Sequence, residues 1–105
     1  MSSHLLAQSQ QIGLLIARLR IARKMKQADA AVRAGLSRNT AYRIEKGDPG
    51  VAMGQLMRYL DAISAGSTLL DLLTESDPAL VALKASEQTR RIRDLSSSEL
   101  DELNF

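Results

Sequence analysis

One short stretch of the chain, which follows a serine, contains four residues whose side chains can each form several hydrogen bonds. They are Arg38, Asn39, Thr40 and Arg43, and the serine is Ser37. An arginine can bond O6 and N7 of guanine with two donors, and an asparagine can pair with N6 and N7 of adenine. These residue types at this spacing favour hydrogen bonding to the edges of DNA bases.

A helix through this stretch would have one apolar face and one polar face, since successive residues turn by about 100°. Ala41 and Ile44 would point inward. The polar face covers an arc of roughly 140° by the same geometry, and its members are Arg38, Asn39, Tyr42, Arg43 and Lys46. A helix fits the major groove of DNA with its N-terminal residues closest to the bases, so we expect this arc to face DNA.

Apolar residues recur at helical spacing along most of the chain, and β-branched residues are sparse. The stripe of the first helix consists of Ile12, Leu15, Ile16, Leu19 and Ala22. The second helix covers residues 27–34 and ends at Gly35, and the third begins after the N-cap Ser37 and ends near Lys46. The stripe of the fourth helix consists of Met53, Leu56, Met57, Leu60 and Ile63, and the short fifth helix carries Leu69, Leu70, Leu72 and Leu73.

These patterns predict an all-α fold, with a compact five-helix domain over residues 1–75. Asp77 and Pro78 suit the N-cap and first position of a further helix. We therefore expect residues 76–105 to form a helical or partly disordered C-terminal extension that docks a partner or supports a dimer. Within it, Ser96 and Glu99 predict a capping box that starts a separate final turn.

Charge is distributed unevenly along the 105 residues, whose formal net charge is +2. Residues 1–50 hold nine Lys or Arg against three Asp or Glu, which gives +6, and residues 51–105 hold five against nine, which gives −4. A basic half favours an anionic partner, although an unevenly charged solvated surface would give the same count.

Composition and residue types argue against several function classes. The absence of cysteine excludes disulfides and fits a reducing compartment, and the apolar runs are too short to span a membrane, so we expect a cytoplasmic protein with no membrane partner. The only histidine, His4, is expected in a mobile terminus, and the sequence has no metal-ligand cluster, phosphate-binding glycine loop or nucleophile–base pair. We expect no enzyme activity, no catalytic or metal-binding residue and no cofactor.

The stretch from residue 12 to residue 73 resembles the helix-turn-helix of the lambda-repressor and Cro group, called the XRE family. Its marks are Arg20 in "LR", Gln27 at the start of helix two, Gly35, Ser37 and the closing "IEKG". The resemblance implies a lambda-repressor-like domain that binds double-stranded DNA in a sequence-specific manner.

The resemblance also implies roles for individual residues. Gln27 would bond a phosphate and brace the recognition helix, and Arg20 and Glu45 would form a partly buried ion pair between helices one and three. The DNA-binding residues would be Gln27, Ser37, Arg38, Asn39, Thr40, Tyr42, Arg43 and Lys46.

The sequence departs from the family pattern at several positions. Lys26 replaces the usual hydroxyl cap of helix two, and Ala30 and Ala41 replace larger aliphatic residues. We expect Met53, Met57 or the end of helix one to fill the space that the alanines leave.

Two functions follow from the resemblance, and both can hold together. The first is a homodimeric repressor of its own operon, because one recognition helix reads only a few base pairs and two half-sites are needed. Leu69, Leu70, Leu72 and Leu73 are the candidates for the dimer contact, with closure of the five-helix core as the alternative.

The second function is that of an antitoxin. The sequence "KGDPGVAMGQLMRYLDAI" and the later "RRIR" resemble the HipB-like subset, whose members bind HipA-like kinase toxins. In that case residues 78–105 would be the element that docks a toxin, although a mixed charge pattern of this kind is also typical of a solvated helix face.

Overall fold

The computed structural model describes residues 2–75 and 77–103, with side chains described as far as Arg91. These residues form six α-helices and no strand, which confirms the predicted all-α fold. The helices are α1 (Ser3–Ala22), α2 (Gln27–Ala34), α3 (Arg38–Glu45), α4 (Met53–Ile63), α5 (Leu69–Leu73) and α6 (Pro78–Leu103).

The C-terminal end of α2 and the start of α3 lie where the sequence predicts them. Gly35 ends α2 with a left-handed backbone, at φ 69°, where a side chain would be unfavourable. Ser37 caps α3, and its Oγ accepts a hydrogen bond from the N–H of Thr40 at 3.0 Å. These two predicted helix boundaries are confirmed.

Helices α1 to α5 enclose one apolar core, and the first part of α6 covers its open side. The fully buried larger side chains are Tyr59, Ile16, Leu19, Ile44, Leu60, Leu72 and Leu80. Ala30, Ala31 and Ala41 are also buried, so α2, α3 and their neighbours approach closely. This packing fixes the orientation of α3.

The core of α4 differs from the prediction. Met53 and Met57 are 64% and 56% exposed, so they do not fill the space beside the alanines, and the end of helix one is the predicted alternative that remains. Tyr59, Leu60 and Ile63 form the buried face of α4 instead. Compared with the predicted apolar stripe, α4 is rotated so that the ring of Tyr59 lies in the core. The hydroxyl group of Tyr59 donates to the buried carboxylate of Glu45.

Helix α1 begins earlier than its apolar stripe indicates. Ser2 caps it by accepting a hydrogen bond from the N–H of Leu5 at 3.3 Å. His4 therefore lies in the first helical turn, exposed and in contact with Gln8, and the mobility of this terminus stays a prediction. The exposed first turns of α1 have no apolar stripe because they do not pack against the core.

The start of α6 packs on the same core. Leu80 is completely buried, and buried Asp77 pairs with Arg23 at 2.9 Å and accepts a hydrogen bond from Ser64 at 2.9 Å. Further along, Glu87 pairs with Arg18 at 2.8 Å. The division of the chain at residue 75 stays a prediction, but any truncation must leave Leu80 in place.

The backbone of α6 continues without a break to Leu103. The separate final turn that Ser96 and Glu99 predict is therefore wrong, because the helix passes through both positions. No helix among the described residues has the length and apolar character that crossing a membrane requires.

Candidate nucleic-acid interface

Helix α3 presents its polar arc to solvent because its opposite face is fully packed. Ala41 and Ile44 are 0% and 1% exposed. Outside the core lie the side chains of Arg38, Asn39, Tyr42 and Lys46, all of them exposed. We call these four residues the outer arc. The structure thus places four of the predicted DNA-contacting residues together on one open surface.

Two members of the outer arc also contact each other. The ammonium group of Lys46 lies 5.4 Å from the centroid of the Tyr42 ring, within the range of a cation–π contact. Tyr42 is 52% exposed, so its hydroxyl group remains accessible for a phosphate.

Ser37 and Thr40 are used mainly to form the start of α3. Besides the cap, the two hydroxyl groups lie 2.9 Å apart and share a hydrogen bond. Thr40 is half-buried. These two predicted site residues therefore lie beside the outer arc and set its first turn.

Gln27 is the first residue of α2 and is half-buried. Lys26 occupies the N-cap position without a side-chain capping bond, which agrees with the departure seen in the sequence. Backbone N–H groups at a helix start can bind phosphate oxygens. Gln27 thus lies at an end of α2 suited to a phosphate contact.

Arg20 and Glu45 form the ion pair that the resemblance implies. Nε and Nη2 of Arg20 donate to the two carboxylate oxygens of Glu45 at 2.8 and 3.0 Å. The side chains are only 16% and 7% exposed. Nη1 of Arg20 donates to the carbonyl oxygen of Met25 at 2.9 Å, so the pair also fixes the turn before α2.

Tyr59 is a third member of this cluster, and it was missed at the level of sequence. Its hydroxyl group donates to Glu45. Burial, together with the hydrogen bond to Glu45, raises the pKa of Tyr59, and the hydrogen bond to Glu45 raises the pKa of Arg20. Tyr59 lies three residues after Leu56 and four residues before Ile63, and this helical spacing was the available sign that its side chain faces the core.

Arg43 is held by a residue outside α3. Its Nε donates to Oδ2 of Asp48 at 2.7 Å, and the two side chains are 39% and 37% exposed. The N–H of Gly50 donates to Oδ1 of the same carboxylate at 2.8 Å. The hydrogen bonds from Arg43 and Gly50 lower the pKa of Asp48. Asp48 was not among the predicted site residues.

The four leucines of α5 do not share one environment. Leu72 is 1% exposed and belongs to the core, so its prediction as a dimer contact is wrong. Leu69 is half-buried and lines a groove of about 270 Å³ together with Met53 and Leu56. Leu70 and Leu73 are 69% and 48% exposed and remain available to a partner.

Two helices joined by a short turn, with a polar arc on the second, define a DNA-binding protein of the helix-turn-helix class. Residues 11–73 match the family model described as a helix-turn-helix domain. The match covers more than half of the chain, and the protein belongs to this family. No curated protein and no solved structure matches the chain.

Family membership gives the general function. Helix-turn-helix domains bind DNA through the second helix of the motif, so DNA is the partner and transcription regulation is the class of activity.

Proposed function

We propose that the protein is a sequence-specific transcriptional repressor of the lambda-repressor and Cro type, which acts as a homodimer and represses its own operon. The outer arc of α3 is the observation that carries the proposal. Four polar side chains lie there on an open surface, while Ala41 and Ile44 anchor the helix from behind. The cytoplasmic location expected for such a regulator stays a prediction.

The contacts divide into two kinds. Arg38 and Asn39 are at the N-terminal end of α3, which lies closest to the bases in this binding mode, and their groups match guanine and adenine. Gln27, Tyr42 and Lys46 suit phosphate oxygens, which fix the register of the protein on DNA without reading sequence.

The exposed apolar residues of α4 and α5 support dimer formation. Met53 and Leu56 of α4 line the same groove as Leu69 of α5, and Leu70 and Leu73 are exposed beside it in sequence. A second copy that covered this surface would give two recognition helices. Such pairs read half-sites about one helical turn apart, roughly 34–36 Å.

Binding measurements on two duplexes test the proposal. One duplex carries the sequence upstream of the protein's own gene, and the other carries the same bases in scrambled order. Asn39→Ala should lower the affinity for the upstream duplex by about 1–3 kcal/mol, with little change on the scrambled one. Gln27→Ala should lower the affinity for both duplexes, because a phosphate contact does not depend on sequence. Equal losses on both duplexes for Asn39→Ala would refute base reading.

A second candidate function is that of an antitoxin, which the HipB-like pattern and the surface of α6 favour. Thr89, Arg90 and Arg91 are exposed on this helix and are accessible to a protein such as a HipA-like kinase toxin. Deletion of residues 89–105 removes these three residues and leaves Leu80 and the Arg18–Glu87 pair in place. If the end of the chain serves only a toxin, this deletion should abolish capture of the neighbouring gene's product and preserve DNA binding.

A further inference from the structure

The turn after α3 holds the side chain of a residue that the family resemblance assigns to DNA binding. Nε of Arg43 donates to Oδ2 of Asp48 at 2.7 Å, and both side chains are partly exposed. The backbone N–H of Asp48 in turn donates to the carbonyl oxygen of Arg43 at 3.0 Å. Arg43 and Asp48 are thus connected through backbone and side chain alike.

The carboxylate of Asp48 is itself fixed in position. Its Oδ1 accepts the N–H of Gly50 at 2.8 Å, and the backbone N–H of Val51 donates to its carbonyl oxygen at 3.3 Å. A Cβ atom on Gly50 would lie 3.2 Å from Oδ1 of Asp48 and 3.3 Å from Nη2 of Arg43. A side chain at this position would therefore require the two groups to shift by a few tenths of an ångström.

The occupied Nε restricts what Arg43 can read. A guanidinium group contacts guanine O6 and N7 with two adjacent donors, and with Nε bonded to Asp48 the adjacent donors left are those of Nη1 and Nη2. A planar group held in one orientation also loses less freedom when it binds a base.

We propose that Asp48 is a positioning residue, which fixes the guanidinium group of Arg43 so that Nη1 and Nη2 face a guanine in each half-site. This inference rests on the proposed sequence-specific function. The hydrogen bonds from Arg43 and Gly50 lower the pKa of Asp48 and so favour its carboxylate form. Without the carboxylate, Arg43 is free to swing toward a phosphate, which binds any sequence equally.

The proposal predicts effects of opposite direction on two measured quantities. Removal of the negative charge of Asp48 should leave the affinity for random DNA unchanged or higher, because DNA is an anion. The preference for guanine at one position per half-site should fall. A residue that only stabilises the fold would lower the affinity for every duplex together.

Asp48→Asn is the informative variant, since the amide oxygen of asparagine can still accept the N–H of Gly50. Asp61→Asn is its matched control. Oδ1 of Asp61 accepts the N–H of Gly66 at 3.0 Å, so the control removes the same charge from a similar glycine turn at the other end of α4. Melting temperatures of both variants establish that each is folded.

The experiment measures full-length protein on a duplex selected from a random library and on its single-base-pair substitutions. Asp48→Asn should lower the guanine preference at one position by about tenfold, and Asp61→Asn should leave it unchanged. Arg43→Ala should lose the preference at the same position, and adding Asp48→Asn to Arg43→Ala should change it no further.

Three results overturn the proposal. Asp48→Asn could retain the full guanine preference, or it could weaken all duplexes equally while the melting temperature falls. The preference lost could also lie at a position that Arg43→Ala does not affect. If the wild-type protein itself prefers no sequence, the proposed function fails first, and the role of Asp48 fails with it.

Discussion

The carboxylate of Glu45 joins three helices at one point. It accepts two hydrogen bonds from Arg20 of α1 and one from Tyr59 of α4, while Glu45 itself ends α3. Only 7% of its side chain is exposed. The orientation of α3, and hence of the outer arc, depends on this residue more than on any surface charge, because its partners have little access to water.

Glu45→Ala should lower the free energy of unfolding by about 3–5 kcal/mol, since Arg20 would remain buried without a counter-charge. Glu87→Ala is the control, because it breaks the Arg18–Glu87 pair, whose side chains are 31% and 36% exposed. That loss should stay below about 1 kcal/mol. Urea denaturation followed by circular dichroism measures both, and equal losses would contradict the account.

The sequence predicted some of these residues and missed others for a physical reason. The Ser37 cap follows from the local sequence, whereas the Arg20–Glu45 contact was predicted from the resemblance to the lambda-repressor and Cro group and not from spacing. Asp48 and Tyr59 depend on how the turn after α3 folds back and how α4 is rotated. Both are set by packing across the core, which periodicity does not report.

The backbone of α1 at Gly13 lies close to the backbone at the end of α3 and the turn after it. A Cβ atom on Gly13 would lie 2.6 Å from the backbone nitrogen of Gly47 and 2.6 Å from the carbonyl oxygen of Ile44. Gly47 has a φ of 75°, and its carbonyl oxygen accepts a hydrogen bond from Ser9. Since the opposing atoms are backbone atoms, α1 would have to shift away from α3 to admit a side chain.

Gly13→Ala should therefore destabilise the protein by about 1–3 kcal/mol or more, as overpacking does. Gly54→Ala offers the matched control on α4, where an added Cβ has no heavy atom within 4 Å. Alanine favours a helix over glycine by up to about 1 kcal/mol, so this variant should be unchanged or more stable. Thermal denaturation that ranks Gly13→Ala at or above Gly54→Ala would contradict the close contact.

The attachment of α6 should depend on pH. Burial raises the pKa of Asp77, but hydrogen bonds from Arg23, the N–H of Ala79 and Ser64 outweigh burial and lower it. Because the pKa is lower in the folded than in the unfolded protein, the stabilisation is complete above the unfolded value of about 4. It is lost as the pH falls through the folded value.

A comparison of wild type with Asp77→Asn tests this pH dependence. The wild type should unfold at higher urea concentration from pH 7 down to pH 5, and the difference should shrink below about pH 4. A difference that stays constant down to pH 3 would show that the charge of Asp77 contributes nothing to the attachment of α6.

The sequence predicted the helical fold and the boundary between α2 and α3 correctly. It predicted the start of α1 and the length of α6 less well. Helix α2 ends at Gly35, which has a left-handed backbone, and α3 begins after Ser37, whose side chain caps it. Residues of these two kinds can be recognised from the local sequence. The first turns of α1 and most of residues 81–91 in α6 are exposed. Their apolar pattern is weak because few of these residues pack against the core.

Under the proposed function, two copies of the protein assemble to read an operator. The exposed Leu70 and Leu73 are the dimer candidates that remain once Leu72 is assigned to the core. Changing both to glutamine should weaken dimer formation and operator binding together, and it should leave the melting temperature nearly unchanged. Leu14→Gln, at a position on α1 that is 58% exposed, controls for loss of surface apolar area.

Sedimentation velocity and operator titration measure these two effects. If the double variant remains dimeric, the contact lies elsewhere on the surface. If it becomes monomeric yet binds the operator with full affinity, the need for a dimer is contradicted.

Arg38 and Asn39 of the outer arc are proposed to read DNA bases, and selection from a library of random duplexes tests this proposal most directly. The wild-type protein should enrich a motif with two related half-sites about 10–10.5 base pairs apart. Asn39→Ala should lose the preference at one position in each half-site and keep the rest of the motif. Enrichment of no motif by the wild type, or of an identical motif by both proteins, would contradict the account.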